Sequence, residues 1–594
     1  MKKYLFIILI FLICQTAASA KESVIMRAME DEMARSMEEL KLDDKERPYY
    51  LSYLVKDIYL VNISADSGAI TANTENHSRG IIVDLRIGDY SLDNSNFMSL
   101  SSSNASSLLS HRLALDDDYD LIRMGAWSAT DRAYKTAIDK LAKKKVAVQN
   151  LVQTEELPDF TKGSATSSIQ KEASVSVKKE EWASTVEQLS RLFLKQQQIQ
   201  MSSVNMRVQV INSYYINSEG ARYIEPATIS QLSVTATTQA DDGMPVGNIL
   251  YYAAPDPKEL PELKKLTGDV NKMINELLLA RTAPVAEDYN GPILFVGQAA
   301  GELFSQGFSN YFMGRRVPMA DDPRLNSMVA LRMGNPFLSK VGRRVAARFL
   351  SMTATPALKD FNGKNLLGAY NVDEEGVPGQ EVLLVENGKL KNLLTSRTPI
   401  KGFPRSNGHS RGGGPVPSVI HITSTNTLTP DELKQELINE VSDEGLPYGY
   451  IVKGLIPSFA VAEMSGVDIT SLLMQQRGTS DPTQFNLSRP YSIYRVYPDG
   501  KEELVRGLEF RSHSINILKD VLATSNDEIA YDFPVIPGGN LGSSSILLSL
   551  LARSGSSSQY YSTVITPSFL ISEMDMKKVT GNFSKLPIVD YPIK

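Results

Sequence analysis

Beyond position 14 the sequence contains no cysteine: Cys14 is the only one in 594 residues. A disulfide framework, a thiolate nucleophile and a thiolate metal ligand are thereby excluded from nearly the whole chain, which must be held by its apolar cores. Histidine is almost as scarce, at five positions (His77, His111, His409, His421 and His513). There is no basic excess either. With 62 Lys and Arg against 68 Asp and Glu, the formal net charge is −6. The chain therefore lacks the electrostatic footprint of a nucleic-acid binder, and no nucleic acid is expected as a partner. The apolar run from Leu5 to Ile13 is too short to span a bilayer, so no transmembrane anchor is expected.

That run follows Lys2 and Lys3 and precedes Ala18-Ser19-Ala20, the layout of a cleaved secretory signal over residues 1–20. The mature protein is expected to begin at Lys21 and to be exported to the periplasm of a Gram-negative cell. Cys14 offers a competing lipoprotein reading, but Ile13 stands where a small residue is wanted. A length of 594 residues with 42% hydrophobic content calls for two or three folded units.

In "VIMRAMEDEMARSMEEL", Met26, Met29, Met33, Met37 and Leu40 recur at spacings of three and four, which predicts an amphipathic helix. Residues 50–90 are rich in β-branched and aromatic residues and read as strands. The segment after Asp116-Asp117-Asp118 reads as a long helix, and residues 155–181 as a polar linker. A helix beginning "WASTVEQLSRLF" follows, then strands joined by a turn at Asn217-Ser218-Glu219-Gly220, then a helix ending near Pro284. From about Tyr289 the chain is β-rich. The reading is an α+β protein: signal peptide 1–20, N-terminal α/β domain 21–180, middle helix/strand segment 181–285, and β-rich C-terminal domain 286–594.

Several segments, in this order, carry a resemblance: "DDDYDLIRMGAWSATDRAYKTAIDKLAKKKVAVQN", "LPDF", "EDYNGPILFVGQAAGELF", "GAYNVDEEGVPGQEVLLVENGKLKNLLTSRTP", "FPRSNGHSRGGG" and "YRVYPDGKEELVRG". Together they resemble the TldD/PmbA family of metallopeptidase-related proteins over nearly the whole mature chain. The resemblance implies an N-terminal α/β domain, a β-rich C-terminal domain and a homo- or heterodimer with a family subunit that closes a chamber on unstructured peptide. Catalytic members carry His-Glu-x-x-x-His on the helix after the "GPILF"-like strand and a later cysteine, a set that holds zinc and activates water. Here Phe304, Ser305 and Ser309 stand in those places, and none of the five histidines lies between Pro292 and Gly314. The pattern is closer to the PmbA/TldE-like branch. It implies no zinc or other cofactor and a noncatalytic, peptide-binding or pairing subunit. The alternative is an active peptidase with a metal or other site of an unfamiliar kind.

Glu302 then reads as a solvent-facing or helix-terminal carboxylate favoured by the helix dipole. Ala300, Phe304, Phe308 and Phe312 recur every fourth residue and predict a buried aromatic face. The stretch "SRTPIKGFPRSNGHSRGGGPVPS" has two readings. It is a flexible surface loop, or its glycines permit close backbone approach while its arginines meet a carboxylate, a peptide or a partner. On the second reading the contact residues are Arg397, Arg405, His409 and Arg411, with Glu302 added. A metal set of His409 and His421 with Asp373, Glu374 or Glu375 is disfavoured by the Gly/Pro-rich spacer, and no G-x-S-x-G elbow stands out.

Overall fold

The computed structural model describes residues 23–98, 111–150, 157–464, 481–535 and 560–585, apart from 43, 175, 323, 325, 328, 331–333 and 582. The signal segment and Cys14 lie outside the described residues.

The N-terminal lobe is one sheet, antiparallel except for the short parallel edge strand Ser167–Ile169, with helices on one face. Helix α1 (Val24–Glu39) buries Met26, Met29 and Met33, the stripe expected from their spacing. Strands β1 (Pro48–Asp66) and β2 (Ala69–Ile87) form a long hairpin through a two-residue turn in which Ser67 and Gly68 take φ of 50° and 82°, the positive values that suit strand twist. Helix α2 (Tyr119–Asn150) and helix α3 (Lys179–Arg191) follow. Strands β3 (Met201–Asn217), β4 (Arg222–Gln239) and β5 (Pro245–Ala254) and helix α4 (Leu263–Thr282) complete the lobe.

The separation at residue 180 is corrected by this sheet. Strand β1 pairs with β3 from Ser52↔Asn217 to Ala65↔Val204, so residues 21–180 and 181–285 build a single lobe. Side chains alternate across a strand, and that alternation decides what β1 does. Leu51, Tyr53 and Val55 pack under α1 and α2, while Val61 and Ile63 belong to the core under α3 and α4. Tyr50, Leu54, Lys56 and Ile58 point to the opposite face, where the C-terminal domain sits.

That domain is built on two sheets. The six-stranded sheet runs in the order Lys389–Leu390, Val382–Glu386, Leu350–Ala354, Val419–Ser424, Tyr560–Thr566, Ile529–Val535. The eight-stranded sheet is centred on β6 (Tyr289–Phe295), flanked by Gly449–Leu455 in parallel and Phe569–Lys578 antiparallel. Ile293 and Phe295 face the core between the sheets, whereas Leu294 faces the helix Pro430–Asp443 on the outside. That helix opens with a reciprocal capping box between Thr429 and Glu432. Helix α5 (Gln298–Gly307) leaves β6 through Gly297, at φ 54°, and enters the same core.

Candidate functional site

Phe304 and Ser305 lie on helix α5 and Ser309 opens the 3-10 turn that follows it, and all three are buried in packing. Phe304 stacks on Phe312 at 6.1 Å, Phe312 meets Phe337 edge-on at 5.5 Å, and Phe308 meets Phe485 at 5.1 Å. Ser305 and Ser309 are buried, with the Ser309 hydroxyl donating to Ser305 O at 2.6 Å. The aromatic face follows the fourfold spacing, although the α-helix ends at Gly307 and Phe312 lies in a short 3-10 turn.

Glu302 is not solvent-facing, which corrects the expectation for it. It is 1% exposed, accepts a hydrogen bond from the Tyr531 hydroxyl, and accepts another from Gln306 Nε2 at 2.6 Å. Gln306 is itself fixed by Ile456 O at 3.1 Å and by Ser488. Among the described residues no cation pairs with the carboxyl, so burial dominates and pushes its pKa up to about 7, against the two hydrogen bonds. Residue 301 must be glycine for this arrangement, because a Cβ there meets Tyr531 Cγ at 2.6 Å.

The loop 396–418 lies on the seam between the lobes and is not a free surface loop. Arg397 is 1% exposed; it pairs with Glu219 at 2.5 Å, donates to Thr161 O at 2.6 and 3.0 Å, and lies 4.0 Å from the Phe160 ring centroid. His409 is fully buried, with Nδ1 3.0 Å from Asn407 O and Nε2 3.3 Å from the Ser418 hydroxyl. A carbonyl can only accept, so Nδ1 carries the proton and Nε2 receives the serine's. Burial pushes the pKa of His409 down to about 3 and keeps the ring neutral. Arg411 is buried over Tyr370 and donates to Tyr561 O at 2.9 Å and to Pro417 O. Among the four basic or imidazole candidates of this loop, only Arg405 is exposed. In the single chain Arg397, His409, Arg411 and Glu302 are buried.

A second seam contact was missed from the sequence. Lys56 reaches across from β1 to Glu374 at 2.6 Å and to the Tyr560 hydroxyl at 2.6 Å, and that hydroxyl donates to Glu374 at 2.8 Å. Burial opposes ionisation of both members, but their mutual attraction outweighs it: Lys56 is raised and Glu374 is lowered. Neighbouring Asp373 accepts the N–H groups of Ser410, Val377 and Glu375, and burial beside Glu375 pushes its pKa up. The one usable signal was a lysine on an otherwise apolar strand face, a pattern that a buried carboxylate must answer.

His421 is elsewhere, 3.0 Å from Glu528, and does not join His409. Among the described residues no group of three or more His, Cys, Asp or Glu side chains is arranged to hold a metal ion.

Residues 289–578 match the sequence profile of the PmbA/TldA metallopeptidase C-terminal domain. A metalloprotease of Methanocaldococcus jannaschii is 27% identical over 119 residues, which is 20% of this chain and 25% of that protein. A zinc metalloprotease TldD homolog of Saccharolobus solfataricus is 24% identical over 200 residues, 34% of this chain and 40% of that protein. The chain spans about a quarter of the length of the first of these curated relatives. In three dimensions it is similar to TldE from Thermococcus kodakarensis, with a TM-score of 0.55 at 15% identity over 92% of this chain and 99% of that one. At that identity the likeness concerns the fold.

Proposed function

Through its C-terminal domain the chain belongs to the TldD/PmbA family, and we propose that it is an exported, noncatalytic member that binds unstructured peptide or pairs with a zinc-bearing relative. The observation that carries this reading is the use of α5. Phe304, Ser305 and Ser309 pack where the family's catalytic members carry His, Glu and His, and no cysteine follows residue 14. A zinc site needs three protein ligands and an open position for water, and this helix offers neither imidazole nor carboxylate at those places. Similarity to a TldE structure supports the pairing part of the proposal.

Elemental analysis of the purified protein, with peptidase assays on the protein alone and mixed with a motif-bearing relative, tests it. Less than a tenth of a zinc per chain and no hydrolysis by the chain alone are expected. About one tightly held zinc per chain, or hydrolysis without the relative, rejects the reading. Export is tested by N-terminal sequencing of protein from the periplasmic fraction, which is expected to begin at Lys21; an intact 1–20 segment there rejects it.

A further inference from the structure

At the seam, Arg315 has no carboxylate partner among the described residues. Arg315 lies against the loop 410–417, where its Nη2 donates to Pro415 O at 3.0 Å and sits 3.5 Å from Met313 Sδ. Its Nε is enclosed and has no acceptor. Among the described residues no carboxylate pairs with it, and burial alone pulls its pKa down, to about 10. Arg397 is answered by Glu219 and Arg86 by Asp84 and Asp93, and Arg411 is held by the carbonyls of Tyr561 and Pro417. A desolvated charge without a partner is costly, and an anion brought from outside would relieve that cost.

The backbone beside Arg315 is suited to that anion. Gly412 and Gly413 take φ of 63° and 85°, the positive pair of a two-residue hairpin turn closed by Arg411 N–H donating to Gly414 O at 2.8 Å. Gly412 N–H already donates to a carboxylate, Glu374, at 2.6 Å. The N–H groups of Gly413 and Gly414 have no acceptor among the described residues. A Cβ on Gly414 sits 3.5 Å from Arg315 Cζ, so this glycine lies against the guanidinium, while the space over Gly413 is open. Among groups bonded to this loop, or paired with those that are, Lys56, Arg315 and Arg411 stand against Asp373 and Glu374. At least one positive charge is left over.

We infer that Arg315 and the Gly413–Gly414 amides form a binding site for a carboxylate carried by another molecule. The planar fork of the guanidinium suits a planar monoanion, and a dianionic phosphate is disfavoured by the nearby Asp373 and Glu374. A peptide C-terminus and a free small acid share this chemistry. The inference stands on the loop geometry and is independent of whether the protein is catalytic.

The test is calorimetric titration of the full chain with acetyl-Ala-Ala-Ala as the free acid, with the same peptide as its C-terminal amide, with acetate and with inorganic phosphate. The parent is expected to bind the acid at least about tenfold more tightly than the amide. Arg315→Gln is expected to lose at least about tenfold in affinity for the acid with the amide unaffected, and Arg315→Lys to recover part of that loss. Displacement of the peptide acid by acetate assigns the site to small acids, and its absence assigns it to a polypeptide C-terminus. Equal binding of acid and amide, phosphate binding as tight as the acid, no binding of the acid at millimolar concentration, or an unchanged Arg315→Gln overturns the inference. Should Arg315→Gln fail to fold, the acid/amide ratio of the parent decides alone.

Discussion

Glu302 gives the sharpest test of how burial acts in this fold. Burial pushes its carboxyl from the ordinary 4.5 up to about 7. That rise is worth on the order of 3 kcal/mol. Below about pH 4.5 the group is protonated in both states, so the folded state bears no penalty. Between about pH 4.5 and 7 the unfolded chain releases the proton while the folded chain keeps it, and stability falls as pH rises. Above about pH 7 the penalty is complete. Glu302→Gln removes the titration. Its amide oxygen can accept from Gln306 Nε2 while its amide N–H donates to the Tyr531 hydroxyl, as the protonated carboxyl does. In urea unfolding followed by circular dichroism, the variant is therefore expected to match the parent within about 0.5 kcal/mol near pH 4 and to be about 3 kcal/mol more stable near pH 8. A parent–variant difference that stays constant across that range refutes the reasoning, whatever its sign.

Four further outcomes follow from the seam. Arg397→Met leaves Glu219 buried and unpaired and is expected to cost about 3–5 kcal/mol in denaturant unfolding; Arg397→Met/Glu219→Gln recovers a large part of it. Arg405→Ala, at an exposed position, is expected to change stability by less than about 0.5 kcal/mol. Arg411→Ala strips donors from Tyr561 O and Pro417 O and is expected to cost about 2–4 kcal/mol, read as a lowered melting temperature in the same scan. Gly408→Ala places a Cβ 2.1 Å from Pro378 O at φ 75° and is expected to reduce the yield of folded protein or lower its melting temperature more than either arginine change except Arg397→Met.

What the sequence disclosed was local. Helix α1 was legible from methionine spacing, the turn at Asn217–Gly220 from its composition, and the aromatic face of α5 from a fourfold repeat. What it withheld was pairing over long separations. Strand β1 gives no sign that its partner β3 begins more than a hundred residues later, so one sheet read as two segments. Glu302 looked like an ordinary surface acid because its hydroxyl partner, Tyr531, lies 229 residues away. Arg397 looked available for a ligand because Thr161, which occupies it, is 236 residues distant. Charged residues advertise chemistry in a sequence, but only the fold decides whether the charge is already answered. Arg315 is the reverse case, an unremarkable arginine whose isolation becomes visible only in three dimensions.

The contact between Lys56 and Tyr560 joins residues 504 positions apart. A ribosome must therefore deliver almost the entire polypeptide before β1 finds the hydroxyl that answers its lysine. The apolar row of Leu54 and Ile58 likewise awaits partners from the C-terminal domain, Val372 in one cluster and Leu367 and Tyr561 in the other. The N-terminal lobe can assemble its helix-covered face from residues before 283, but its other face waits. Closing a loop of that length is entropically expensive and slow relative to local pairing. The seam is thus the last part of the molecule to form, and the growing chain carries a sticky, half-finished sheet through most of its synthesis.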